Sequence, residues 1–124
     1  MNDTIRILAV DDEPDLRSLL RILLKNKGYE VLEAASGQEA VDIVRSEPRI
    51  DLVIMDITMP NMDGLEALKA IRAKDPNANV VMCSAMGQES MVMDAVRSGA
   101  KDFIVKPFKP DRILKTVSTI LGNP

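Results

Sequence analysis

The chain predicts a single doubly wound α/β domain: a five-stranded parallel sheet, strand order 2-1-3-4-5, with helices on both faces. Short apolar runs alternate with amphipathic helical patterns along all 124 residues, as repeated βα units do. The connections between them are short, which leaves no room for a second domain. Four apolar runs end in polar residues: Asp11-Asp12, Asp56, Ser84 and Lys106-Pro107. Carboxyl ends of parallel strands share one edge, where open α/β sheets bind ligands.

The first strand is read at residues 5–10. The helix after it starts near Pro14, a favourable first-turn residue, and runs to Gly28. Leu16, Leu19, Leu20, Leu23 and the stem of Lys27 follow the helical period. Asp12 or Asp15 is placed to cap it, Asp15 more so. Strand two is 31–34. Helix two, 37–47, buries Ala40, Val41 and Val44, and Pro48 stops it. Strand three is 52–55. Helix three, 64–74, turns Leu65, Leu68 and Ile71 inward, and Asp75-Pro76-Asn77 makes the next turn.

Strand four is 80–83. Helix four, 88–98, has Val92, Ala95 and Val96 as its core stripe, flanked by Met86, Met91 and Met93, with Gly99 as its cap. The methionines read as core edge. Strand five is 103–105. Helix five starts near Pro110, carries Ile113, Leu114, Val117, Ile120 and Leu121 at helical spacing, and ends at Gly122. Strands three and five are nearly continuous apolar, as strands covered on both faces are. Right-handed crossovers put helices on both sides. The order 2-1-3-4-5 sets Asp11, Asp12 and Asp56 on neighbouring strands at the switch point.

Composition removes several function classes. Histidine is absent, so no imidazole serves as acid–base group, ligand or phosphoryl carrier. A net charge of -3 without a Lys/Arg block gives no nucleic-acid footprint. No run reaches membrane-spanning length, and no signal peptide is visible. A lone Cys83 inside a strand, reading as an inert small hydrophobe, points to a cytoplasmic protein.

The site chemistry follows from crowding. Two carboxylates about 4 Å apart repel by roughly 4 kcal/mol at an effective dielectric near 20. A cation relieves that. Mg²⁺ takes oxygen ligands and often a phosphate oxygen, with Mn²⁺ as a substitute. Asp12 and Asp56 are the candidate direct ligands, Asp11 acts through water, and the Thr58 backbone carbonyl adds an oxygen. An ionised aspartate can hold a phosphoryl group covalently, which makes Asp56 the candidate acceptor. Lys106 and the Ser84 hydroxyl would neutralise or bind its oxygens. Gly64, after Met59-Pro60 and Met62-Asp63, permits close backbone approach.

These residues carry a resemblance. Asp11-Asp12, Asp56 with Met59-Pro60 and Asp63-Gly64, Ser84-Ala85, Phe103 and Lys106-Pro107-Phe108 together resemble a response-regulator receiver domain of two-component signalling, over nearly the whole chain. The resemblance implies a flavodoxin-like fold over residues 1–124 with no output domain, Mg²⁺ dependence, and phosphorylation of Asp56 by a histidine kinase. It also implies a cis Lys106-Pro107 bond and a switch in which Ser84 and Phe103 report to the outer surface of helix four, strand five and helix five. Implied partners are the kinase, a downstream protein target and a phosphatase, with the chain a monomer or a phosphorylation-dependent dimer. The segments 56–60, 82–88 and 99–108 resemble single-domain chemotaxis response regulators of Gram-positive and thermophilic type. The first loop, Asp12-Glu13-Pro14-Asp15, follows the generic receiver pattern instead.

The leading expectation is therefore a phosphorylation-controlled binding module rather than an enzyme. A receiver fragment of a transcriptional regulator and a phosphorelay intermediate are variants of it. An aspartate-nucleophile phosphohydrolase would use an Asp-x-Asp pair, whereas this chain has Asp56-Ile57-Thr58 and no cap insertion. A flavodoxin-type electron carrier would need a Ser/Thr/Gly phosphate loop after strand one, where Asp11-Asp12-Glu13 stands.

Overall fold

In the computed structural model, five parallel strands form one sheet in the order β2-β1-β3-β4-β5. Residues 4–47, 49–57, 63–85 and 89–122 are described. The strands are β1 (Arg6–Val10), β2 (Glu30–Ala34), β3 (Leu52–Asp56), β4 (Val80–Ser84) and β5 (Asp102–Val105); the helices are α1 (Pro14–Lys25), α2 (Gly37–Ser46), α3 (Gly64–Lys74), α4 (Glu89–Arg97) and α5 (Pro110–Leu121). The predicted architecture and order are borne out. Pro48, Met86 and Gln88 lie outside the described residues.

Side chains alternate across a strand, so the sheet divides its own core. Leu8 and Val10, Val53 and Met55, Val80 and Met82 pack with Ala40 and Val41 of α2, Ala67, Leu68 and Ile71 of α3, and Ala95 of α4. Ile7 and Ala9, Leu52 and Ile54, Val81 and Cys83 pack with Leu20 and Leu24 of α1 and Ile113 and Val117 of α5. Phe103 belongs to the α4 side. β3 and β4 are buried at every position.

Three expectations need correction. Leu19 is exposed, and Leu24 takes its inward place with Leu20. α1 carries leucine or isoleucine at 16, 19, 20, 22, 23 and 24, so the period alone does not choose the buried arc. Val96 is also exposed; α4 buries Ala95 and turns Met91 toward the core, while Met93 faces out. Finally, β5 takes the sheet edge that the predicted order assigns it, with Phe103 and Ile104 packed on opposite faces, but its last residue, Val105, is 49% exposed rather than covered.

The helix ends follow local chemistry. Ser36 accepts from the Glu39 N–H at 3.1 Å, and Glu39 accepts from the Ala35 N–H at 3.2 Å. Together they stabilise the start of α2. Asp63 caps α3 through the Glu66 N–H at 2.8 Å. The α1 cap is neither Asp12 nor Asp15: Glu13 occupies the capping position without a side-chain bond, and Asp15 sits in the first turn, where its charge suits the helix dipole.

Candidate functional site

Asp11 and Asp12 follow β1, Asp56 ends β3, Ser84 ends β4 and Lys106 follows β5. The parallel order places all of them at one edge. Asp11, Asp56 and Ser84 are buried, whereas Asp12 is exposed. A carboxylate oxygen from each of Asp11, Asp12 and Asp56 lies within 4.8 Å of the other two. Three anions at that spacing, two of them shielded from bulk water, form a donor set of hard oxygens that fits a divalent cation such as Mg²⁺.

Lys106 links two of the three. Its Nζ donates to Asp11 Oδ2 at 2.7 Å and lies 3.4 Å from Asp56 Oδ2. Glu13 Oε1 is 4.0 Å away. The ammonium is largely enclosed, and burial alone lowers its pKa. The Asp11 hydrogen bond and the charges of Asp56 and Asp11 outweigh that and raise the pKa above the ordinary lysine value. Lys106 is therefore a fixed positive charge at neutral pH. The Lys106-Pro107 peptide is cis.

The rest of the site is held by backbone bonds. The Asp11 N–H donates to the Ala34 carbonyl at 3.1 Å, and Asp11 Oδ1 accepts from the Glu13 N–H at 2.9 Å. The Ile57 N–H donates to the Cys83 carbonyl at 2.9 Å, which extends β3–β4 pairing past Asp56. The Lys106 N–H donates to the Ser84 carbonyl at 2.8 Å. Gly64 donates to the Ile57 carbonyl at 2.7 Å and brings the start of α3 against the end of β3. Cys83, paired in register with Asp56, is buried, and its thiol pKa is pushed up to about 12, chiefly by burial. It is an inert thiol.

Thr58, Met59, Pro60 and Met62 lie outside the described residues, so the Thr58 carbonyl expected as a ligand is not placed. Beside Lys106 an apolar recess of about 380 Å³ is lined by Leu16, Leu19, Ala85, Pro107, Phe108 and Glu13. Leu19 thus faces a concave surface rather than the core. Sequence reasoning missed Arg17: its guanidinium donates to the Asp11 backbone carbonyl at 2.7 Å and to Glu33 at 3.2 Å.

Residues 7–118 match the family model described as the response regulator receiver domain. The chain belongs to the response-regulator receiver family. Within it, this receiver is 53% identical over 114 residues to the chemotaxis protein CheY of Listeria monocytogenes, covering 91% of this chain and 95% of the relative. It is 48% identical to the chemotaxis protein CheY of Thermotoga maritima, covering 93% and 96%. The Borrelia burgdorferi CheX-CheY-BeF3-Mg complex superposes with a TM-score of 0.89 at 39% identity, over 94% of this chain and 89% of that one. This is a receiver domain of the CheY type, a class of signalling module. The likeness to these chemotaxis proteins spans most of the chain. Among the described residues no helix is long and apolar enough to cross a membrane.

Proposed function

We propose that this receiver takes a phosphoryl group from a histidine kinase onto Asp56 in a Mg²⁺-dependent reaction and thereby switches its affinity for a protein target. One observation carries the reading: a lysine ammonium sits between Asp11 and Asp56 inside a three-carboxylate cluster. Asp11, Asp12 and Asp56 would hold the cation, which would supply positive charge against phosphoryl oxygens. Lys106 supplies a second, permanent charge from the neighbouring loop. The buried carboxylate of Asp56 is the nucleophile, since acyl phosphate formation needs an ionised oxygen with a free approach. Ser84, on the next strand, would donate its hydroxyl to the new group.

The readout runs through the sheet. By strand alternation, Ser84 shares the α4-side face with Val80 and Met82, the face on which Phe103 packs. Movement of Ser84 toward a phosphoryl group changes the space open to Phe103 and so reshapes the α4–β5–α5 surface. Met93, Val96 and Val105 are exposed there, apolar groups that a protein target can cover. The recess beside Lys106 suits the donor kinase, because its occupant would lie next to the acceptor. The likeness to chemotaxis proteins supports chemotaxis as the pathway.

The test is intact-mass spectrometry with a small acyl-phosphate donor and Mg²⁺. One base-labile phosphoryl group should be added, and none in Asp56→Asn or in the presence of a chelator. Equal labelling of Asp56→Asn would move the acceptor elsewhere.

A further inference from the structure

We propose that Arg17, braced by Glu33, is a positioning residue that sets the Asp11–Asp12 peptide and so presents the Asp12 carboxylate to a divalent cation. The inference rests on the reading that the acidic cluster binds such an ion. It concerns how one exposed member of the cluster is held in place.

The three carboxylates are not fixed alike. Asp11 is gripped at both oxygens, by the Glu13 N–H at 2.9 Å and by Lys106 at 2.7 Å. Asp56 is buried at the end of a central strand and lies 3.4 Å from Lys106. Asp12 is exposed, past the end of β1, and among the described residues no side chain or backbone donor holds its carboxylate. Where that carboxylate points is therefore set by its own backbone. The plane of the peptide joining Asp11 to Asp12 is the first determinant.

Arg17 grips that plane. Its Nη1 donates to the Asp11 carbonyl oxygen at 2.7 Å. Its Nε donates to Glu33 Oε1 at 3.2 Å, and the other Glu33 oxygen accepts from Arg21 at 3.1 Å. Glu33 lies on β2, in register with Ala9 of β1. The guanidinium thus fastens the loop after β1 to the neighbouring strand, one turn into α1. The Arg17 side chain is 20% exposed, so its planar fork is well enclosed. Outer partners of this kind orient metal ligands without touching the ion.

Charge and position predict opposite signs, which makes the idea testable. Removing a positive charge near a dication site strengthens cation binding by Coulomb's law. Losing the grip on the Asp11 carbonyl weakens it. Mn²⁺ binding, followed by electron paramagnetic resonance of the free ion, reads the affinity without any phosphoryl chemistry. Arg17→Met should bind Mn²⁺ on the order of tenfold more weakly than the wild type. Arg17→Lys, which keeps the charge but not the two-armed fork, should fall between them.

Wild-type or tighter binding by Arg17→Met overturns the proposal. If that variant does not fold, Arg17→Lys decides alone: a charge role leaves its affinity at the wild-type value and overturns the proposal, and a positioning role weakens it. Asp12→Asn serves as the reference. If it binds Mn²⁺ as the wild type does, the Asp12 carboxylate does not hold the ion, and both Asp12's place in the functional reading and this inference fall. A loss confined to Asp12→Asn, with both Arg17 variants unchanged, sinks only the inference.

Discussion

Gly64 leaves no space for a side chain above Asp56. A Cβ built on it would lie 2.7 Å from Ile57 Cα and closer still to the Asp56 carbonyl oxygen. The glycine is required for room rather than for an unusual backbone angle. Gly64→Ala must push the start of α3 away from the end of β3, at a cost of roughly 1–3 kcal/mol for overpacking. The same shift moves the loop around Asp56. Thermal unfolding should show the destabilisation, and acyl-phosphate labelling should slow. A variant as stable as the wild type would mean that α3 moves freely against β3.

Asp12→Ala tests the cation. At a Mg²⁺ concentration near a hundred times Kd, binding stabilises the wild type by about 2.7 kcal/mol. The melting temperature should rise with Mg²⁺ in the wild type and stay flat in the variant. An undiminished rise in Asp12→Ala would place the ion at other groups.

Lys106→Met separates signalling from stability. Removing the ammonium leaves Asp11 and Asp56 as neighbouring buried anions, and breaking such a pair costs on the order of 3 kcal/mol. Mg²⁺ should recover much of that, since it neutralises the same oxygens, while labelling of Asp56 should still be slow. The raised lysine pKa fixes the pH window. Its stabilisation is fully present below the ordinary value of 10.5 and is lost as pH rises through the higher folded value. The gap in melting temperature between wild type and variant should thus be constant around neutrality in chelator, and narrow only in strong alkali. A gap that closes near pH 8 would contradict the assignment.

Cys83 gives a pH effect of the same sign that sets in at lower pH. Its folded pKa of about 12 lies above the ordinary 9.0, so only the unfolded chain loses the thiol proton between those values. Stability then falls with rising pH across that window, by up to about 1.4 kcal/mol per pH unit. Cys83→Ala should flatten this alkaline limb. The native thiol should also resist alkylation at pH 8 until the protein unfolds. Rapid native-state alkylation would show a more open β4 than the structure has.

Ser84→Ala should accept the phosphoryl group yet fail to signal. A ligand shifts an equilibrium only by its differential affinity for the two states, and the serine hydroxyl is the contact proposed to distinguish them. Backbone NMR with a phosphate mimic should show shifts over residues 101–108 in the wild type and much smaller ones in the variant. Equal shifts would mean that the signal leaves by another face.

The site residues were legible because each is a polar side chain ending an apolar run, and parallel strands gather such ends at one edge. Asp11, Asp56, Ser84 and Lys106 were all expected at that edge in this way, and the sheet places them there. Which face a leucine-rich helix buries was not legible: Leu19 and Leu24 have the same chemistry, and only the packed sheet separates them. Val105 looked covered because it ends a run of apolar residues, and such a run does not reveal where along an edge strand burial stops. Arg17 escaped notice for a related reason. An arginine in a helix has many partners open to it, and its bond to a backbone carbonyl has no signature in the sequence.

The bond between Lys106 and Asp11 joins residues 95 positions apart, and Asp56, the proposed acceptor, sits between them in the chain. No partial chain therefore owns this pocket. A ribosome-bound nascent segment lacking β5 holds the carboxylates without their counter-charge, and so does a copy whose last strand has peeled from the sheet edge. Such molecules carry the acceptor residue but are poorly equipped to be charged with phosphate. In a cell, the pool of modified protein would then be drawn from fully assembled copies, and quality control of the signal would come with the fold.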